Sequence, residues 1–280
     1  MRTIAASQIT ETVATLLVDA CLNLPADVEA ALRAGRERET EPRAQHVLDV
    51  LLENAALARA KRLPICQDTG IATVFVDIGD AVRIEGGTLE DAINDGIRVG
   101  TRRGYLRCSM IADPLRRDNT GDNAPGAVLI RQLPGTAVHI TVAPKGGGCE
   151  NMSRVFMLRP SDGQDGVRRV VLETVRTGGA NPCPPVVVGV GVGGDLAQAP
   201  LLAKRALLRT IGQRHPDPLY ADFERSLLAD INALGLGPQA LGGLTTALDV
   251  FIETAPCHIA SLPAAVCLNC HAARHASASL

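Results

Sequence analysis

Three runs rich in β-branched residues, each closing on glycine, constrain this chain more than any other feature. Residues 71–78 (IATVFVDI) end at Gly79, 137–143 lead into Gly146, Gly147 and Gly148, and 185–192 run into Gly193 and Gly194. β-Branched side chains favour extended backbone, and glycine permits a sharp departure from it. Each run is expected to be a strand. Helical periodicity lies around them: Ala44, Val47, Leu48, Leu51, Leu52 and Ala55 recur at the spacing of one helix face. Pro64 ends that helix, because it has no amide hydrogen to donate. Further helices are expected over 90–103, stopping at Gly104, and near 166–177, 198–212 and 218–234. Residues 105–126 are polar and carry Asn-Thr-Gly-Asp-Asn, so they read as a long loop. No repeat, low-complexity stretch or linker interrupts the 280 residues. The expected fold is α+β: a helix-rich part over 1–62, then a mixed β-sheet with surrounding helices, in a single domain.

Composition narrows the function classes. Twenty-eight Lys+Arg against 30 Asp+Glu give a formal charge of -2, which offers no electrostatic case for nucleic acid or an anionic membrane. Aromatic residues are 2%, too few for a base-stacking platform. No apolar run reaches the roughly 18 residues of a membrane span, and Ser, Gln, Thr and Glu interrupt the first 17 positions, so no secretory leader is expected. The expected location is the cytoplasm. Thiols stay reduced there, so the eight cysteines need individual explanations.

Four motifs carry possible chemistry. Residues 189–194 (GVGVGG) satisfy the dinucleotide fingerprint in form, yet no acidic residue follows at the end of a second strand. A tight strand-to-helix passage with close packing is the favoured meaning. Lys145-Gly146-Gly147-Gly148 is either a hairpin turn or a loop turning backbone N–H groups toward an anion. Cys66-Gln67-Asp68-Thr69-Gly70 places a thiol beside an amide and a carboxylate, so Cys66 is either a small core residue or a metal ligand with a proton-transfer group next to it. At the C-terminal end, Cys267, Cys270, His271 and His275 have the donor types of a zinc site, and Cys267-Leu-Asn-Cys270-His271 has the form of a c-type haem attachment.

Taken together, the segments PICQDTG (64–70), DPLRRDNTGDN (113–123), PKGGGCENMSR (144–154), PCPPVVVGVGVGG (182–194), LGGLTTALDVFIE (241–253) and HIASLPAAVCLNCHAARHA (258–276) resemble the alpha subunit of class I iron–sulfur fumarate hydratases and the related L(+)-tartrate dehydratases. The resemblance runs in order from about Ile9 to Ala276. It implies a [4Fe–4S] cluster held by Cys66, Cys183 and Cys270, with one iron not ligated by protein, in the part of the chain over 63–280. It further implies substrate contacts from Gln67, Asp68, Arg107 and the Gly148 N–H, with Lys145 shaping the loop. Asp68 and His258 are the candidate catalytic residues. Cys267, Cys257 and Cys149 stand where relatives often carry other residues.

The implied reaction is reversible hydration of a small dicarboxylate. Fumarate with (S)-malate is the first expectation and L(+)-tartrate the alternative. A zinc-stabilised binding subunit is the reading from a different class. Single-chain relatives carry a further domain that is lacking here, so a separate beta subunit in an α2β2 assembly is expected.

Overall fold

The computed structural model describes all 280 residues. The first half runs β1 (Arg2–Ala5), α1 (Ala6–Leu22), α2 (Ala26–Arg38), α3 (Pro42–Lys61), β2 (Ile71–Gly79), β3 (Val82–Glu85), α4 (Leu89–Arg103), β4 (Ala127–Leu133) and β5 (Val138–Lys145). The second runs α5 (Gly147–Met152), β6 (Arg154–Leu158), α6 (Gly163–Gly178), β7 (Val186–Gly193), α7 (Gln198–Ala206), α8 (Pro218–Asn232), β8 (Ala247–Ala255), β9 (Leu262–Asn269) and β10 (Ala276–Ser279). The architecture is α+β. Within it the chain divides into two compact units, a division that the single-domain reading of 1–280 did not contain. The first unit is Met1–Pro25, Asn54–Gly147 and Arg274–Leu280; the second is Ala26–Glu53 and Gly148–Ala273. One crossing falls inside α3 and another inside the glycine run, so no linker marks either.

The first unit is built on a four-stranded sheet ordered β10-β5-β2-β4. β2 runs antiparallel to β5 and parallel to β4. Arg2–Ala5, expected to be helical, instead forms β1 and pairs with β3 in a separate two-stranded ribbon. Helix α1 buries Ile9, Val13, Leu17 and Cys21, spaced along one face, against Val74 and Val76 of β2 and Ile140 and Val142 of β5. Fully burying each such side chain contributes roughly 1.5–3 kcal/mol. By length and composition the stretch Ala6–Arg38 could cross a membrane, but half of its apolar 18-residue window is buried inside the protein, as in a core helix. Helix α4 begins where expected, because the Thr88 hydroxyl accepts the Asp91 N–H and caps it. It crosses α1 closely: a Cβ at Gly96 would come within 2.7 Å of the Thr10 carbonyl oxygen.

The second unit holds the sheet β6-β9-β7-β8, in which β7 is parallel to β8 and antiparallel to β9. The alternation of β7 gives its two faces different jobs. Val186, Val188 and Val190 pack with Val170 and Val171 of α6 and Leu227 and Ile231 of α8. Gly189 and Gly191 point the other way, beneath α7. A Cβ at Gly189 would lie 2.2 Å from the Ala203 carbonyl oxygen, and one at Gly191 2.0 Å from that of Ala199. GVGVGG is therefore a strand stripped of side chains so that a helix can lie on it. That arrangement matches the close-packing reading. Helix α7 ends at Ala206, short of the expected 212. The following segment is tied instead to β8: Gly212 N–H donates to Asp249 at 2.7 Å, and Arg214 pairs with the same carboxylate.

Candidate functional site

The candidate residues form two groups, one in each unit. In the first unit the group is the turn Ile65–Gly70 and the elements that grip it. The Ile65 N–H donates to the Cys21 carbonyl at 2.9 Å, which hangs the turn from the end of α1. Asp68 is held through its side chain on both oxygens: Gly70 N–H donates to Oδ1 at 3.1 Å and Gly147 N–H to Oδ2 at 2.8 Å. CQDTG and KGGG thus meet through one carboxylate. Glycine is needed here for space as well as conformation, since Gly70 has φ +79 and a Cβ on it would sit 2.4 Å from the Lys145 carbonyl oxygen. The Thr69 hydroxyl accepts the Arg107 N–H at 2.9 Å, so the backbone of Arg107 is fixed while its side chain stays exposed. Cys66 and Asp68 are half-buried and Gln67 is exposed, with the Cys66 thiol 3.4 Å from Gln67 Oε1.

Three residues that the sequence reading did not single out complete this group. Buried Asn123 donates to the Gly70 carbonyl at 3.0 Å and accepts the Ser109 N–H at 2.8 Å, tying the long polar loop to the turn. Thr69 is buried and joins the turn to Arg107. Arg274 is only 4% exposed, and its Nη2 donates to the Asp68 carbonyl at 2.7 Å. Each is a polar residue inside a motif already noted, and its burial was the signal that sequence alone does not carry. Beneath the turn, burial pushes the Cys21 thiol up to about 11, partly offset by the nearby Arg274 guanidinium.

In the second unit, Cys183, Cys270 and Gly148 lie at one end of the sheet. Cys183 sits at φ +51 in a tight turn closed by its N–H to the Ala180 carbonyl at 2.9 Å. The carbonyl of Cys183 accepts from the His271 N–H at 3.3 Å, which brings it beside Cys270. Gly148 packs against the same turn: a Cβ there would lie 2.6 Å from the Asn181 carbonyl oxygen. Gln239 closes the group, donating from Nε2 to the Pro184 carbonyl at 2.9 Å.

His258 is not brought to this end. Residues 262–269 of β9 separate it from Cys270, a run of roughly 26 Å at strand spacing. His258 instead borders an apolar cavity of about 410 Å³ with Val192, Tyr220 and Phe223. That cavity has no Arg or Lys in its lining, so it has no fixed cation for a dicarboxylate. The Ala260 N–H donates to His258 Nδ1 at 3.1 Å, which leaves Nε2 to carry the proton of the neutral ring.

No disulfide joins any of the eight cysteines. Cys66, Cys183 and Cys270 are exposed or half-buried and lie outside the strands, whereas Cys21, Cys149 and Cys267 are buried. Cys108 and Cys257 are likewise half-buried or exposed and outside the strands; with the first three, all five offer the thiol donor that the irons of an iron–sulfur cluster take. No three His, Cys, Asp or Glu side chains, the candidate cluster cysteines included, are grouped to hold a single metal ion. The zinc reading is further weakened at its own residues. Cys267 is sunk in β9, where its sulfur accepts from the Ser153 hydroxyl at 3.5 Å, and His271 turns toward the Cys183 carbonyl. The same burial of Cys267 removes the haem-attachment form.

Comparison with known proteins adds a third line. The sequence model of the family described as Fumarate hydratase (Fumerase) matches residues 10–279. The chain is 42% identical over 275 residues to the "Putative L(+)-tartrate dehydratase subunit alpha" of Methanocaldococcus jannaschii, covering 96% of each chain. It is 33% identical over 273 residues to the L(+)-tartrate dehydratase subunit alpha of Escherichia coli (strain UTI89 / UPEC), covering 96% of this chain and 90% of that one. A match of the same extent is found with the L(+)-tartrate dehydratase subunit alpha of Shigella boydii serotype 4.

Proposed function

Because this chain belongs to the Fumarate hydratase (Fumerase) family of hydro-lyases, we propose that it is the alpha-type subunit of an iron–sulfur enzyme that moves water on or off a four-carbon dicarboxylate. L(+)-tartrate is the favoured substrate. The observation that carries this reading is the 42% identity, over 96% of both chains, to a protein named for that activity. The family resemblance left fumarate with (S)-malate as the first expectation and L(+)-tartrate as the alternative; the names of the relatives favour tartrate. Fumarate stays as the second reading, supported by the description of the family.

Cys66, Cys183 and Cys270 are assigned to a [4Fe–4S] cluster with one iron free of protein ligands, an assignment carried by the family resemblance. When bound, such a cluster supplies a Lewis acid. The chain's own groups orient the substrate and manage its protons. The Arg107 guanidinium can take a carboxylate in two parallel hydrogen bonds, which fixes the molecule for elimination. Gln67 and the Gly148 N–H add donors for the remaining oxygens. Asp68 is the group for the proton on the substrate hydroxyl, because each of its oxygens accepts one backbone N–H and keeps a further lone pair. His258 of the same chain is left out of this set, since β9 stands between it and Cys270. A separate beta subunit, in an α2β2 assembly, is proposed to supply further contacts; the words "subunit alpha" in the names of the relatives support it.

The test is anaerobic reconstitution of the chain with its co-produced beta subunit. Oxaloacetate release from L(+)-tartrate is measured beside fumarate release from (S)-malate. Tartrate is expected to be preferred by about tenfold or more in kcat/KM. The reverse preference upholds the fumarate reading, and turnover of neither sinks both.

A further inference from the structure

We propose that Arg274 is a positioning residue for the hydration reaction, acting through the main chain of Asp68; the proposal rests on the functional reading above and adds a residue to it. Asp68 has three anchors within the first unit. Gly70 N–H and Gly147 N–H hold its two carboxylate oxygens at 3.1 and 2.8 Å. Both act on the side chain, and neither fixes the peptide plane between Asp68 and Thr69. Arg274 reaches that plane, by its 2.7 Å hydrogen bond to the Asp68 carbonyl oxygen.

The fold delivers the guanidinium to this position with little freedom. β10 pairs antiparallel with β5, placing Ala276 opposite Val142 and Ser277 opposite Thr141. Arg274 therefore leaves the sheet beside the end of β5, where Lys145 and Gly147 turn toward Asp68. At 4% exposure the guanidinium is desolvated. Burying a cation is costly, and a charge-assisted hydrogen bond to a carbonyl is short and directional. A group so placed restrains the turn more firmly than an exposed arginine would.

The consequence falls on Gln67 and Asp68 together. They share the backbone that Arg274 pins, so release of the carbonyl lets the amide and the carboxylate drift as one. A misplacement of about 1 Å costs on the order of a hundredfold in rate while leaving much of the binding intact. The signature of a positioning role is thus a fall in kcat with KM preserved, whereas a residue that only supports folding lowers thermal stability and leaves the turnover of each loaded site unchanged.

The experiment compares wild type, Arg274→Gln and Arg274→Lys as assembled, cluster-loaded enzyme, with rates normalised to bound iron. Arg274→Gln is expected to lose about tenfold or more in kcat with KM within about threefold. Arg274→Lys, which keeps the charge and one donor, is expected to recover to within about threefold of wild type. In substrate-free protein, hydrogen exchange of the amides over residues 67–70 and at Gly147 is expected to speed up in Arg274→Gln and stay near wild type in Arg274→Lys. Unchanged kcat in Arg274→Gln overturns the proposal, as does a loss that Arg274→Lys shares in full. If Arg274→Gln does not accumulate folded, Arg274→Lys decides: near-wild-type kcat and exchange uphold the anchor, and a tenfold loss with unaltered exchange overturns it. A wild-type enzyme that turns over no dicarboxylate removes the functional reading alone, because the exchange measurement uses no substrate.

Discussion

Gly191 lies so close under Ala199 that a Cβ on the glycine would meet the alanine's carbonyl oxygen at 2.0 Å. The contact is backbone against backbone, so no side chain can swing away to relieve it. Gly191→Ala is expected to destabilise the fold at or above the upper end of the usual overpacking range, about 3 kcal/mol. Urea unfolding checks this, and an unchanged midpoint would show that α7 can lift from β7 at no cost.

Glu224 is fully buried and carries a network at the edge of the same sheet. Its Oε1 accepts from Arg209 at 2.6 Å and the Ile252 N–H at 2.9 Å, while Oε2 accepts the His215 N–H at 3.0 Å. Glu224→Gln removes the charge and puts an N–H₂ where an acceptor is needed. A loss of about 3–5 kcal/mol is expected, since breaking a buried pair leaves the partner's charge uncompensated. Calorimetric or denaturant unfolding measures it.

Asp122 sets an acid-side dependence. The Ala124 N–H, and then the Arg98 side chain, hold its carboxyl below the ordinary carboxylate value. A lowered folded-state pKa means the unfolded chain binds the proton more readily. The contribution is therefore present above the unfolded value of about 3.9 and disappears as pH falls through the lower folded value. The pair is partly exposed, so the effect should stay below about 1 kcal/mol. Asp122→Asn should flatten this part of the stability–pH curve; an identical acid limb in both proteins would refute the assignment.

Thiol reactivity separates the cysteines. At pH 8 the cluster-free native chain is expected to be alkylated at the exposed Cys183 and Cys257 well before Cys21, whose thiol burial pushes up to about 11. Peptide mass mapping against time reads the order, and early labelling of Cys21 would contradict it.

Iron loading tests the ligand assignment. Anaerobic reconstitution should give about four irons per chain. Single Ser replacements at Cys66, Cys183 and Cys270 should each lower that content, while Cys267→Ser, on a buried strand position, should leave it unchanged. Full loading in all three ligand variants would dismiss the assignment.

Local pattern was enough to locate α4, α6, α8, β2, β5 and β7, because each has its own periodicity or a run of β-branched residues. It was not enough for β10, whose ASAS has no apolar alternation and is extended only because β5 offers it an edge. The same holds at the site. Cys66, Gln67 and Asp68 stand together in one motif and were visible at once. Their grip was not, because it comes from Gly147, Asn123 and Arg274, which are far away in sequence. His258 shows the converse: its motif runs on into the cysteine segment, yet a strand of eight residues carries it to the other end of the sheet. A linear motif records neighbours along the chain and says nothing of the direction in which an intervening strand points.

The first unit is assembled from three separated stretches, and its last strand is made of residues 276–279. β5 is translated more than a hundred residues before its β10 partner. During synthesis the outer edge of that sheet, and the carbonyl of Asp68, wait while nearly the whole second unit emerges from the ribosome. The CQDTG end of the first unit is thus completed only once residues 274–279 have emerged, which ties readiness of that turn to the segment that carries Arg274 and β10.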